Sequence, residues 1–187
     1  MSAPETFTAF VDRHMIASGS VDAVAIAVDA RGGDLPILIF DDVTGRSVEL
    51  DLRYGPDHAV AEFRARTSAP ATPEARQGRG RPKLGVVARE VTLLPRHWDW
   101  LASQPGGASA ALRRLVEDAR RTHQVDDHQR QARETAYRVM SALAGDLPAF
   151  EEASRALFAG DLEKLRREAA SWPPGVRDYV LRLSSAT

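Results

Sequence analysis

The first 55 residues carry four short apolar runs separated by turn residues, with one helical stretch between the second and third runs. The runs predict strands because they are short, rich in β-branched and aromatic residues, and bounded by turn formers. The predicted strands lie at residues 7–11, 15–17, 37–40 and 48–52. Over residues 21–31 apolar side chains recur at helical spacing, which predicts a helix with Ser20 as its N-cap. The pattern therefore predicts a small ββαββ unit over residues 1–55.

Residues 56–83 break this pattern, because they are crowded with Pro, Ala, Arg, Thr and Gly. Such a composition cannot bury enough apolar surface to offset the entropy that is lost on ordering. We therefore interpret this segment as a flexible basic linker.

Residues 84–123 predict a strand followed by two helices. The strand is the β-branched run at residues 86–94, and Pro95 then suits the first turn of a helix that continues to residue 103. A Gln-Pro-Gly-Gly turn ends that helix, and Ser109 is the predicted N-cap of the next one. The second helix carries the apolar stripe of a helix that packs against a core.

From residue 124 onward the pattern predicts helices only. Gly145, Gly160 and Pro173 interrupt the helical periodicity. The predicted helices span residues 127–144, 148–159, 161–171 and 174–183. The chain is therefore expected to be an α+β protein with a C-terminal helical region at residues 124–187.

Charge is distributed unevenly, although the net charge is only −1. Residues 64–121 carry 12 Lys or Arg against 5 Asp or Glu, whereas residues 1–63 carry 4 against 11. A basic block between acidic or neutral flanks is typical of a protein that binds a polyanion, because Lys and Arg displace counterions from phosphates. A solubilising linker that balances the acidic N-terminus would have the same composition, so this alternative stays open.

Composition and spacing argue against most catalytic and metal sites. The chain has no cysteine, which excludes disulfides, thiolate metal sites and a cysteine nucleophile. Its five histidines include no pair at positions i and i+4. Asp41 and Asp42 follow a buried strand, where active sites often lie, but we favour a turn that their side chains stabilise. We expect no enzymatic activity, no metal and no cofactor.

The N-terminus lacks the basic-then-apolar layout of a signal peptide, and no apolar run approaches the roughly 20 residues that span a bilayer. We therefore expect a cytoplasmic protein that does not bind a membrane.

The sequence Arg79-Gly80-Arg81-Pro82-Lys83 resembles the core of an AT-hook. In that motif the Gly lets the backbone lie flat in a narrow minor groove, and the Pro keeps the chain extended. The resemblance implies that Arg79 and Arg81 point along the groove floor, where A·T tracts are most electronegative.

The predicted strand and helices of residues 86–121 resemble the ribbon-helix-helix fold. That family implies a homodimer whose paired strands enter the major groove of DNA, while the N-terminus of the second helix binds a phosphate. If one face of the strand meets the groove, only Arg89 is suited to contact bases, and if the other face does, only Thr92 is. Ser109 and the backbone N–H groups of the next two residues would hold the phosphate, and Arg113 would add charge. Alternatively, the strand only builds a dimer or a core, because both its faces are largely apolar.

Four stretches also resemble a family of uncharacterised bacterial proteins, the domain-of-unknown-function family 2239. They lie at residues 39–46, 80–87, 93–101 and 158–161. This resemblance implies no activity. From the residues we expect a homodimeric DNA-binding protein, either a transcriptional regulator or a nucleoid-associated factor. The alternative is a non-enzymatic protein-interaction or scaffold protein whose basic segment meets an acidic partner.

Overall fold

The computed structural model describes residues 5–32, 36–67, 87 and 89–185, and it confirms the α+β class. The described strands are β1 Phe7–Val11, β2 His14–Gly19, β3 Ile37–Asp41 and β4 Ser47–Val48. The described α-helices are α1 Val21–Arg31, α2 Pro56–Thr67, α3 Pro95–Ala102, α4 Gly107–Ala144, α5 Phe150–Ala159, α6 Leu162–Glu168 and α7 Pro174–Ser184. None of these helices is both long and apolar enough to cross a membrane.

The chain divides into two compact units. Unit 1 comprises residues 1–69 and 125–187, and unit 2 comprises residues 70–124. The ββαββ residues and the C-terminal helices, which the sequence pattern predicts as separate regions, therefore share unit 1. The helix α4 contributes its first residues to unit 2 and its later residues to unit 1.

The N-terminal ββαββ order forms as predicted, but the last strand is shorter than predicted. The strand β4 covers only Ser47–Val48, and Leu52–Tyr54 form a short 3₁₀-helix. Asp12 and Arg13 have positive φ angles of 44° and 65° and make the tight turn between β1 and β2. Positive φ at both turn residues matches the twist of hairpin strands. Ser20 caps α1, because its hydroxyl accepts a hydrogen bond from the Ala23 N–H at 3.3 Å. The apolar positions of α1 are buried: Val21, Val24, Ala25 and Val28.

The sheet has the strand order β2-β1-β3-β4, and each neighbouring pair is antiparallel. All of β1 is buried, because helices cover both faces of the sheet. On one face Ala9 and Ile39 pack in a core with α1 and α2. On the other face Phe10 and Phe40 join a larger core that α4, α5, α6 and α7 complete.

The helix α2 corrects one prediction, because residues 56–67 are helical rather than the start of a flexible linker. Val60 is buried, and Phe63 packs against the same core. The Phe63 ring meets the ring of Phe7 edge-on, with 5.6 Å between centroids. Burial of one apolar face thus stabilises a helix that its polar composition does not predict. The rest of the predicted linker, residues 68–83, lies outside the described residues.

The helix α4 corrects a second prediction, because it is one helix where the pattern predicts two. The expected interruption near residues 122–126 contains neither Gly nor Pro, so nothing there ends a helix. Ion pairs between residues three apart stabilise this exposed stretch. They are Glu117–Arg120, Asp118–Arg121 and Asp127–Arg130.

The C-terminal helices begin and end close to their predicted positions. Gly160 ends α5 in a left-handed conformation with φ of 75°. Asp161 caps α6, because its carboxylate accepts a hydrogen bond from the Lys164 N–H at 2.8 Å. The buried Trp172 donates its indole N–H to the Pro148 carbonyl at 2.8 Å. This bond ties the segment before α7 to the loop before α5.

Candidate nucleic-acid interface

Unit 2 carries the residues that the sequence predicts to contact DNA. Its described residues are Val87 and 89–124. Among them, Leu101 and Ala111 are the only buried hydrophobic residues. Helices in water are stabilised mainly by burial of an apolar face, and two buried residues remove little apolar surface from water. The described part of unit 2 therefore has almost no core of its own.

Large apolar side chains of unit 2 are instead exposed in the single chain. Trp98 is 41% exposed and Trp100 is 51% exposed. The remaining exposed large apolar residues of this unit are Val87, Val91, Leu94, Leu115 and Val116. Large exposed apolar patches mark interaction surfaces, so these residues are candidates for contact with a partner. We call these seven residues the apolar surface of unit 2.

The segment before α3 is unpaired in the single chain. Val87 and residues 89–94 belong to no strand there, although Leu94 has extended backbone angles, with φ of −67° and ψ of 149°. A ribbon strand needs a second strand to satisfy its backbone N–H and C=O groups. The described residues 87 and 89–94 therefore form no ribbon within one chain, and their pairing with a second copy stays a prediction.

The structure describes four of the residues that are predicted to contact DNA, and all four are exposed. Arg89 and Thr92 lie in the unpaired segment before α3, whereas Ser109 and Arg113 lie in α4. The residues of the AT-hook-like sequence lie outside the described part of the chain: Arg79, Gly80, Arg81, Pro82 and Lys83.

Ser109 is the third residue of α4 and not its N-cap. The helix begins at Gly107, and the preceding Gly106 has a φ of 83°. The chain thus enters the helix at the glycines, because they adopt the left-handed turn without steric cost. The prediction that Ser109 is an N-cap is therefore wrong. Ala111, whose backbone N–H is expected to help to hold a phosphate, is buried. The exposed Ser109 side chain stays a predicted DNA contact.

The arginines in the described part of unit 2 fall into two groups. Arg120 and Arg121 pair with carboxylates of the same helix at 3.2 Å and 3.1 Å. Four others form no ion pair and no side-chain hydrogen bond within the described residues: Arg89, Arg96, Arg113 and Arg114. Their guanidinium groups are available to neutralise phosphate.

Unit 1 holds a buried polar network at the end of β3. The Asp42 carboxylate accepts hydrogen bonds from the Thr8 hydroxyl at 2.8 Å and the Tyr179 hydroxyl at 2.7 Å. Both terminal nitrogens of Arg182 also donate to Asp42, at 3.2 Å. Burial, and then the hydrogen bond to Asp42, raise the pKa of Tyr179. Tyr179 therefore stays protonated, and a fully paired network of this kind stabilises the fold.

The turn between β3 and β4 is held by Asp41, as the sequence predicts, whereas the Asp42 side chain does not bind the turn and the prediction is wrong for it. Its carboxylate accepts hydrogen bonds from the Val43 N–H and from the Thr44 hydroxyl, both at 2.8 Å. Gly45 follows with φ of 67°, and a Cβ at this position would lie 2.5 Å from the Thr135 carbonyl oxygen of α4. Only glycine fits this close approach of the turn to α4.

A family model described as an uncharacterized protein conserved in bacteria (DUF2239) matches residues 6–184. The comparisons with curated proteins and with solved structures gave no match. The matched range includes all four stretches in which the sequence resembles this family. The chain therefore belongs to the DUF2239 family of bacterial proteins.

Proposed function

We propose that this protein binds DNA as a homodimer through unit 2, as a transcriptional regulator or a nucleoid-associated factor. One observation carries the proposal: unit 2 combines an exposed apolar surface with arginines that have no partner within the described residues. A partner would cover the apolar surface, and an anion would pair with the arginines. A symmetric dimer on DNA supplies both.

The lack of a core in the described part of unit 2 supports dimerisation. A second copy offers the same apolar surface by symmetry, and its segment before α3 offers backbone groups for an antiparallel ribbon. These side chains are about half exposed, so covering the rest of each contributes about 1 kcal/mol, roughly half the value for full burial. Three such side chains from each copy then contribute about 6 kcal/mol, which lies within the cost of association of about 4–15 kcal/mol.

DNA contact would combine two modes of recognition. The AT-hook-like arm, residues 79–83, would lie in the minor groove. The ribbon would present the polar side chain of one strand face to the major groove. Because both faces of the segment before α3 are largely apolar, base reading by the ribbon is limited. The expected preference is therefore for A·T-rich DNA through the arm. The residues assigned to DNA contact are Arg79, Gly80, Arg81, Pro82, Lys83, Arg89, Thr92, Ser109 and Arg113.

Fluorescence anisotropy with two labelled duplexes of equal length, one A·T-rich and one G·C-rich, tests this function. The full chain should bind the A·T-rich duplex more tightly. Its association constant should fall as salt rises, with a log–log slope of about −0.9 for each phosphate contacted. Undetectable binding at low salt, or an affinity that salt does not change, would refute DNA binding.

A matched pair of variants assigns the contact to the arm. Arg79→Gln combined with Arg81→Gln should remove the preference for A·T-rich DNA, because the variant has no arginine to place in the minor groove. Arg31→Gln, which changes an exposed arginine at the end of α1, should bind like the wild type. Equally weakened binding by both variants would indicate that net charge alone governs binding.

A protein-interaction role is the second candidate, and the exposed Trp98 and Trp100 favour it. Aromatic residues are enriched at protein interfaces, where they contribute much of the binding energy. In this case the basic segment would meet an acidic protein partner. A dimer in sedimentation experiments that binds neither duplex at low salt would support this candidate over DNA binding.

A further inference from the structure

A polar cleft of about 570 Å³ lies in unit 1 between the β3–β4 turn and the part of α4 that belongs to this unit. Thr44 and Arg46 line it from the turn, and six residues of α4 line it from the helix. All eight residues are polar or charged, and three of them are arginines. The cleft is independent of unit 2 and of the residues proposed to bind DNA.

Arg46 carries the unpaired positive charge of this cleft. Within the described residues its guanidinium forms no ion pair and no hydrogen bond. Its backbone is fixed, because its carbonyl oxygen accepts a hydrogen bond from the Asp41 N–H at 3.0 Å. The neighbouring Gly45 is in close contact with the Thr135 carbonyl, which holds the turn against α4. Arg46 thus extends a free cationic group from a well-fixed turn.

Two further arginines line the opposite wall. Arg138 donates to a backbone carbonyl of the turn at 2.7 Å and comes only within 3.5 Å of Glu134. Arg130 is paired with Asp127 at 2.5 Å. The lining side chains therefore carry three positive and two negative charges, and the one positive charge among them without an ion-pair partner in the described part of the chain is that of Arg46.

We propose that this cleft binds a small phosphate ester, with Arg46 as the main phosphate-binding residue and Arg138 beside it. Guanidinium groups bind phosphate through paired N–H donors. The volume lies within the range of about 300–1,000 Å³ that is usual for small-molecule sites, so the cleft has room for a ligand larger than phosphate alone. The Gln131 amide, which has no partner within the described residues, offers a donor and an acceptor to the rest of the ligand.

Isothermal titration calorimetry of the full chain tests the proposal with ribose 5-phosphate and AMP as probes. Ribose and adenosine are the matched probes without phosphate. The phosphorylated compounds should bind, and their counterparts should bind at least about tenfold more weakly, because they lack the charged acceptor. Duplex DNA titrated in parallel separates a free ester from a DNA phosphate as the ligand.

Variants locate the site. Arg46→Gln should weaken binding of the phosphorylated probe by about tenfold or more, and Arg46→Lys should weaken it less, because lysine keeps the charge but not the planar fork of donors. Arg31→Gln removes an exposed arginine outside the cleft and should leave binding unchanged. Glu134→Gln should strengthen binding, because it removes a negative charge from the wall.

Three results would overturn the proposal. The first is no binding of either phosphorylated probe at millimolar concentration. The second is equal binding by Arg46→Gln and the wild type. The third is a DNA affinity that depends on Arg46 while the small esters do not bind. The Arg46 side chain is exposed and has no partner within the described residues, so its variants should give the circular dichroism spectrum of the wild type.

Discussion

Replacing Tyr179 with Phe removes a single oxygen from the buried network around Asp42. That oxygen donates to the Asp42 carboxylate at 2.7 Å, and Tyr179 is only 2% exposed. The ring also packs against Phe10, with 5.2 Å between centroids, and Phe would keep this packing. The substitution therefore isolates the hydrogen bond from the packing.

The expected decrease in stability follows from the number of donors that remain. A hydrogen bond to a charged group contributes about 1.5–3 kcal/mol. Asp42 keeps Thr8 and Arg182 as donors, so its carboxylate is not left unpaired. We therefore expect the lower part of the range, about 1.5–2 kcal/mol. For a chain of this length, that decrease lowers the Tm by about 3–8 °C.

Urea unfolding followed by far-UV circular dichroism measures the free energy of unfolding. Tyr54→Phe is the matched control, because Tyr54 is largely exposed and its change should stay within about 0.5 kcal/mol. A double-mutant cycle with Asp42→Asn should give a coupling energy of about 1 kcal/mol or more. If Tyr179→Phe unfolds at the same urea concentration as the wild type, the network does not stabilise the fold.

Three further predictions concern pH, the turn and the dimer. Because burial raises the pKa of Tyr179 above its usual value near 10, its contribution to stability should be present below about pH 10 and decline above it. The free energy of unfolding measured against pH should show this decline in the wild type and not in Tyr179→Phe. Gly45→Ala should lower the free energy of unfolding by about 2 kcal/mol or more, because a Cβ would overlap the Thr135 carbonyl at a positive φ. Trp98→Ser combined with Trp100→Ser should raise the dissociation constant of the dimer in sedimentation equilibrium by about tenfold or more.

Matched controls separate these effects from a general decrease in stability. Gly32→Ala also places a side chain at a positive φ, of 59°, but in open space, so it should cost only the backbone strain of about 1–3 kcal/mol and less than Gly45→Ala. Equal destabilisation by Gly32→Ala and Gly45→Ala would contradict the close approach to α4. Ile26→Ser changes an exposed apolar residue of unit 1 and should leave the dimer unchanged. A wild-type chain that stays monomeric at high concentration would rule out the dimer.

Local sequence signals predict most of unit 1. The hairpin, Ser20 as an N-cap and Gly160 as a helix end each depend on residues close together in the chain. The helix α2 could not be predicted in this way, because its composition is polar. Its apolar residues, such as Phe63, stabilise a helix only once β1 and α1 offer a surface to pack against.

The sites were predictable to different degrees. The basic block and the expected dimerisation through unit 2 follow from charge counts and from an apolar predicted strand without a neighbour. The cleft of unit 1 could not be predicted from such signals. It brings Arg46 together with Arg130 and Arg138, which lie far away in the sequence. Gly45 is the local signal that could have indicated a close approach at this turn.

The proposed DNA binding depends on arginines of unit 2 that neutralise phosphate, and the salt dependence of binding measures this directly. Arg89→Gln combined with Arg113→Gln should make the log–log slope shallower by about 0.9 for each phosphate that the variant no longer neutralises. Arg120→Gln combined with Arg121→Gln should change the slope little, because these arginines pair with carboxylates of their own helix. Slopes and affinities that are the same for both double variants and the wild type would contradict this role of the arginines.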